Sequence, residues 1–307
     1  VIETPTVEQI LETEAEVYAY IDGKEQIRGS LLRILDIFTK DGYDIHVHVT
    51  QSQGDASRIV KELGEGMDLI LCSGGDGTLN ETICGMLALK DQPPLGYIPA
   101  GSTNDFAVSL QIPKDMERAA LNVVNGAPFA VDVGSFCGDR NFVYIAGFGA
   151  FTEVAYATSQ DRKNLLGHPA YMLEALKSIS SIKPYHMLVQ WEEGELEEDF
   201  VFGMVTNTRS VGGFKNLVNQ TVALNDGAFE VLLIRMPKTP GDLSNIISHL
   251  FLKEEPNEYV YRFKTASICF QSAAPVDWVL DGEYGGARTQ AQIGCLREKI
   301  RILVDRC

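Results

Sequence analysis

Two glycine-bearing stretches put carboxylates where phosphate chemistry would use them. "SGGDGTLNE" spans Ser73 to Glu81, and "PAGSTNDFA" spans Pro99 to Ala107. In the first, Thr78 followed by Glu81 has the spacing of a capping box, with Thr78 as N-cap and Glu81 at N3, so a helix starts at the glycines. The open N–H groups and dipole of a helix start favour an anion, phosphate above all. Glycines let the backbone approach it with no side chain in the way. Asp76 is then out of place, because a carboxylate repels phosphate. It fits if a divalent cation stands between them, or if it holds a water on that cation. The plain alternative is a tight turn, with Gly supplying positive φ and Asp bonding locally. The second stretch repeats the design, with Ser102 or Thr103 as the cap and Asp105 where an acid suits the dipole. Two such loops suggest one nucleotide site that holds a metal.

Loops of this kind need strands before them and helices behind, and the first 110 residues supply both. "VYAYI" (17–21) is an apolar run, and Leu31, Leu35 and Phe38 follow at helical spacing. "YDIHVHV" alternates, with Tyr43, Ile45, Val47 and Val49 on one face. Ala56, Ile59, Val60 and Leu63 then form a helical stripe. "DLILC" (68–72) is continuous and apolar, as a strand covered on both faces must be. Leu79, Ile83, Met86 and Leu87 make another stripe, "LGYIP" (95–99) a fourth strand and "TNDFAVSL" a short helix. This βαβαβαβα order predicts a parallel sheet with helices on its faces. Ligands in such sheets bind beyond the carboxyl ends of the strands, where both loops lie.

A helix closed by Asn125-Gly126 ends this pattern. Short β-like runs follow: "NFVYIAGFG", "YHMLVQWEE", "DFVFGMVTN", "FEVLLIRM", "EYVYRFK", "ASICFQS", "VDWVLDGE" and "KIRILV", with helical patterns near 169–180 and 240–252. The expected fold is two-domain α/β plus β. Residues 1–129 form a parallel α/β nucleotide-binding domain with an acidic extension at about 1–16, and 130–307 a mostly antiparallel β-sandwich.

The 307 residues carry a net charge of −16, which argues against nucleic acid and against broad adhesion to an anionic membrane. Six cysteines without a C-x-x-C pair read as reduced thiols in a cytoplasmic protein. No apolar run reaches roughly 18 residues, so no transmembrane helix is expected. The acidic opening lacks the regions of a signal peptide. His46 and His48 have no ligand partners at metal spacing and read as surface, and "WEEGELEED" (191–199) reads as a solvent-facing turn.

"GGDGTLNE" with "PAGSTNDFA" resembles the soluble diacylglycerol kinase family, which includes sphingosine and ceramide kinases. "IAGFGAFTEV" (145–154), "VGGFKNLV" (211–218), "LNDGAFEV" (224–231) and "LDGEYGG" (280–286) follow in the family's order, so the likeness covers roughly 17–304. It implies an NAD kinase/phosphofructokinase-like first domain and an active site in the cleft between the domains. It also implies ATP-dependent phosphorylation of a lipid hydroxyl with Mg²⁺, diacylglycerol being the favoured acceptor. Carried over, it makes Gly74, Gly75, Asp76, Gly77, Thr78, Leu79 and Asn80 the ATP phosphate loop. Thr50 and Ser102 match nucleotide contacts, Asp76 and Asp105 the metal and water network, and Glu283 the general base. Asp226 with the carbonyls of Ala223 and Ala228 matches a structural Mg²⁺ site. The family's first loop normally reads Asn-Pro-x-Ser/Ala-Gly; here "IDGKEQ" keeps only Gly23 and Lys24. Val108 and Glu174 stand where close relatives carry basic residues.

On residue type alone, Glu283 is a carboxylate in a glycine-rich turn, most often a solvated residue, and "NDGA" is a plain β-turn. Two other functions stay open: an NAD kinase-like enzyme, which also carries Gly-Gly-Asp-Gly-Thr, and a non-catalytic nucleotide or lipid sensor. The expected setting is cytoplasmic, with transient contact between the protein and a membrane surface. A homodimer is left open.

Overall fold

The computed structural model describes residues 15–22, 27, 29–149, 184–209, 222–252 and 257–305. It divides into two compact units, cut between Val131 and Asp132 and again between Arg297 and Glu298. The architecture is mixed α/β with a large antiparallel sheet.

Unit 1 follows the predicted alternation. Its elements are β1 (Ala15–Asp22), α1 (Leu31–Lys40), β2 (Tyr43–Thr50), α2 (Asp55–Leu63), β3 (Leu69–Gly74), α3 (Asp76–Met86), β4 (Leu95–Pro99), α4 (Asp105–Ser109) and α5 (Met116–Val124). β1 pairs in parallel with β2 and β3, and β3 with β4, so the strand order is 2-1-3-4. Every residue of β3 is buried, which explains its unbroken apolar run. β2 has a strand on one side only along this order, and Val47 and Val49 stay 39% and 46% exposed. Two stripes shift from their expected places. α1 buries Ile34 and Phe38 rather than Leu35, and in α2 Leu63 is 38% exposed while Ala56, Ile59 and Val60 are buried. α2 and α3 meet at Gly85, where a Cβ would stand 2.6 Å from the Val60 Cβ. Only glycine allows so close an approach.

Unit 2 holds the second half of β5 (Ala127–Phe136), then β6 (Arg140–Phe142), β7 (Ile145–Gly149), β8 (Tyr185–Trp191), β9 (Gly194–Thr206) and β10 (Phe229–Arg235). α6 (Pro240–Leu252), β11 (Val260–Thr265), β12 (Ser267–Leu280) and most of β13 (Glu283–Val304) complete it. β7 and β8 share one slot: both lie between β9 and β12, β8 against Ile268–Ser272 and β7 against Trp278–Leu280. The runs "ASICFQS" and "VDWVLDGE" are one strand, β12, whose register with β13 breaks between Gln271 and Val276. Pro275 lies in that gap and has no N–H to give a ladder. Among the described residues the sheet of unit 2 packs on an aromatic core. Trp278 packs on Phe136, Phe148 and Phe270 at ring separations of 5.3, 5.0 and 5.1 Å. Phe142 of β6 meets Phe229 of β10 at 5.5 Å, although the two strands are far apart in the pairing order. The acidic "WEEGELEED" is the β8–β9 hairpin, with exposed Glu192 and Glu193 at its tip.

The chain end departs from the expected division. Residues from Glu298 onward belong to unit 1, and Ile302 pairs in parallel with Leu95 of β4. The helical pattern near 169–180 lies outside the described residues.

Candidate functional site

In unit 1 the winding reverses between β1 and β3, because β2 flanks β1 on one side and β3 on the other. Open parallel sheets bind ligands beyond the carboxyl ends of the strands at such a reversal. Gly74 ends β3, and Thr50 and Pro99 end β2 and β4.

α3 begins three residues before the place a capping box would set. Gly75 is its N-cap, with φ −87° and ψ −176° and no side-chain cap. The reason is that β3 keeps its pairing through Gly74, whose carbonyl accepts from Ala100 N at 2.8 Å, and the chain turns at once. Thr78 therefore sits in the first turn and packs over Gly74, where a Cβ would come within 2.7 Å of the Thr78 Cβ. Glu81 Oε1 accepts from Gly54 N at 2.7 Å and ties the loop after β2 to α3. The N–H groups of Gly77 and Thr78 precede the first intrahelical bond, from Leu79 N to Gly75 O at 3.0 Å. Leu79 itself is 1% exposed and its N–H is committed, so it serves the core. Asn80 is half-buried.

The second loop does not use Ser102 or Thr103 as its cap either. The N-cap of α4 is Asn104, in left-handed backbone with φ 52° and ψ 51°. Asn is among the residues that accept this conformation most readily. Its side chain clasps Gly101, accepting from Gly101 N at 3.0 Å and donating to Gly101 O at 2.7 Å. Ser102 is left exposed at the tip.

The two loops are locked together. A Cβ on Gly101 would lie 2.7 Å from the Gly75 Cα, so the backbones touch. Asp76 Oδ2 accepts from Asp105 N at 3.2 Å. Beneath them the Tyr97 hydroxyl lies 3.4 Å from both Gly74 O and Asn104 Oδ1. Burial first, then the nearby Asp76 carboxylate, holds the Tyr97 pKa well above its usual value, so it stays a donor. Asn104 lies within the "PAGSTNDFA" stretch, where sequence reasoning gave the cap to Ser102 or Thr103, and Tyr97 sits in the apolar run "LGYIP" with no signal of its own.

Mg²⁺ takes one or two carboxylates and is otherwise held by phosphates and water. Half-buried Asp76 opens α3 and buried Asp105 opens α4, joined by the bond from Asp105 N to Asp76 Oδ2, and two carboxylates in adjoining loops fit that demand. Among the described residues there is no group of three or more His, Cys, Asp or Glu that could hold a metal by itself. At Asp226 the fit is poorer. Its Oδ1 accepts from Ala228 N at 3.2 Å, and its Oδ2 is ion-paired with Lys264 Nζ at 2.9 Å. Lys264 also meets Glu230 Oε1 at 2.8 Å, so an ammonium already neutralises this turn, which runs past Ala223.

Glu283 opens β13 in unit 2 and is exposed. It follows a two-residue turn of Asp281 and Gly282, with φ 50° and 87°, the hairpin type that Asp-Gly favours. Gly23 and Lys24 lie outside the described residues.

A family model for the diacylglycerol kinase catalytic domain matches residues 19–136. A diacylglycerol kinase of Bacillus subtilis (strain 168) is 33% identical over 272 residues, spanning 88% of this chain and 89% of its own. The chain belongs to the diacylglycerol kinase family. As a family member it is a lipid kinase, which makes ATP the implied co-substrate. A diacylglycerol kinase of Staphylococcus saprophyticus is 29% identical over 88% of each chain. Family likeness extends to the fold. A solved diacylglycerol kinase structure from Bacillus anthracis str. Sterne superposes with a TM-score of 0.75 at 22% identity, covering 95% of this chain and 97% of that one. Another structure from that strain gives 0.80 at 24% identity, covering 95% and 96%.

Proposed function

We propose that the protein transfers the γ-phosphate of ATP to the free hydroxyl of diacylglycerol, giving phosphatidic acid. The observation that carries this reading is the interlock of the loops after β3 and β4, next to the winding reversal, with Gly75 on Gly101 and Asp76 on Asp105 N. Backbone N–H groups of Gly77 and Thr78 would bind phosphate oxygens, with Ser102 and Thr50 as further contacts to the nucleotide. In this reading unit 1 is an NAD kinase/phosphofructokinase-like nucleotide domain and unit 2 takes the lipid. Asp76 and Asp105 would hold Mg²⁺, which supplies neutralisation of the charge on the transferred phosphoryl group. Glu283 accepts the hydroxyl proton. A lipid hydroxyl is a far weaker acid than a carboxylic acid, so that proton moves only as the new P–O bond forms. Most of the acceleration then comes from positioning and charge stabilisation, as phosphoryl transfer requires.

The protein meets its lipid by transient contact with a membrane surface from the cytoplasm. Among the described residues no helix is long and apolar enough to cross a membrane. The net charge of −16 puts this contact on local apolar surface rather than on attraction to anionic lipid.

The test is γ-labelled ATP with vesicles containing diacylglycerol, monoacylglycerol, sphingosine, ceramide or phosphatidylglycerol, and with soluble NAD. Label in phosphatidic acid supports the reading. Label confined to NAD, or to another lipid, overturns it.

A further inference from the structure

Glu283 stands on an exposed hairpin tip, a place where backbone is ordinarily mobile. The residues on either side of it are nevertheless held. Asp281 is 4% exposed, and its carboxylate accepts three backbone N–H groups, from Val143 at 2.6 Å, Tyr144 at 3.0 Å and Ile145 at 3.0 Å. Its own N–H donates to Ile145 O at 2.9 Å. The receiving segment is in turn fixed to β9: Tyr144 O accepts from Thr206 Oγ1 at 2.6 Å and from Asn207 N at 3.0 Å. On the other side, Arg140 Nη1 donates to Tyr284 O at 2.9 Å. The pair Leu280–Glu283 closes the turn between them.

Three converging N–H groups call for an acceptor with no hydrogens of its own. An ionised carboxylate is that group, whereas an amide would aim one N–H face at them. Asp281 takes a positive φ that is costly for a residue other than glycine, so its buried hydrogen bonds impose the turn conformation. The result is an exposed carboxylate on a backbone anchored by hydrogen bonds before and after it.

We propose that Asp281 and Arg140 are positioning residues for Glu283, clamping the backbone before and after it so that its carboxylate meets the acceptor hydroxyl. This rests on the reading of Glu283 as the general base. Loose placement of a reacting group by about 1 Å lowers rates by about 100-fold, so a clamp acts on turnover and not on ATP affinity.

Arg140 is exposed, so Arg140→Met leaves the fold intact and decides the case even if Asp281→Asn fails to fold. The full chain is assayed with labelled ATP and diacylglycerol micelles, alongside ATP affinity by calorimetry and thermal unfolding. Glu283→Gln is expected to lose about 100-fold or more in kcat. Arg140→Met is expected to lose about 10-fold in kcat with KM for ATP and melting temperature unchanged, and Arg140→Lys, which can still donate to Tyr284 O, to recover most of it. Asp281→Asn, where it folds, should behave like Arg140→Met or worse. A normal kcat in Arg140→Met beside an inactive Glu283→Gln overturns the clamp and leaves the base. A raised KM for ATP in Arg140→Met also overturns it, because Arg140 would then be a nucleotide contact. An active Glu283→Gln removes the base itself, and the clamp with it.

Discussion

The Asp76 carboxylate reaches across to the backbone of Asp105 and accepts its N–H at 3.2 Å. One oxygen of Asp76 therefore joins two loops that are 29 residues apart. This contact separates two roles that a single deletion would merge. Asp76→Asn keeps a carbonyl acceptor for Asp105 N and loses the charge; Asp76→Ala loses both. Both variants should lose about 100-fold or more in kcat/KM if the charge serves Mg²⁺-ATP, while only Asp76→Ala should unfold at lower urea, by about 1 kcal/mol. Full activity in Asp76→Asn would show that the hydrogen bond is its whole contribution.

Gly101→Ala tests the backbone contact. Its Cβ would sit 2.7 Å from both the Gly75 Cα and Asn104 Oδ1. Neither can give way without moving a loop, so the substitution should cost about 1–3 kcal/mol and raise KM for ATP. Urea unfolding and ATP titration measure the two effects separately.

The Glu230–Lys264 pair predicts a pH dependence. Burial raises the Glu230 pKa, and Lys264 opposes the shift. A carboxyl with a raised folded-state pKa contributes stability below its unfolded pKa, and the contribution is lost as pH rises through the folded value. Lys264→Met removes the opposing charge, so the carboxylate becomes costlier whenever it is ionised. The expected loss is about 1–2 kcal/mol at about pH 8, shrinking towards about pH 5 as Glu230 protonates, read from urea midpoints.

Vesicle binding should be nearly insensitive to salt. With a charge of −16, contact through apolar surface keeps its strength from about 0.05 to 0.5 M salt, where screening would abolish an electrostatic attraction. Flotation with neutral and anionic vesicles checks this, and steep weakening by salt would mean a basic patch.

Local chemistry is legible in the residues themselves. The apolar runs of β3 and β4 stand out because parallel strands are covered on both faces, and the glycines after β3 mark the helix start. The family motifs imply a role for each acid. Caps are not legible in this way: Thr78–Glu81 and Ser102–Thr103 have capping spacing, but the strand ends decide where each helix begins. Once Gly74 is paired with Ala100, α3 must start at Asp76, and Glu81 is released to hold Gly54.

Sequence by itself singled out the carboxylates of Asp76 and Asp105 in two glycine-bearing loops, and the family likeness added Glu283 as a candidate. Tertiary structure alone decided the strand order 2-1-3-4, the return of the chain end to β4, the clasp of Asn104 on Gly101 and the cradle of N–H groups around Asp281. Spacing along a chain reports contacts within a few residues. Asp281 lies 138 residues from Val143 and Arg140 lies 144 from Tyr284, and only packing brings such partners within hydrogen-bond reach.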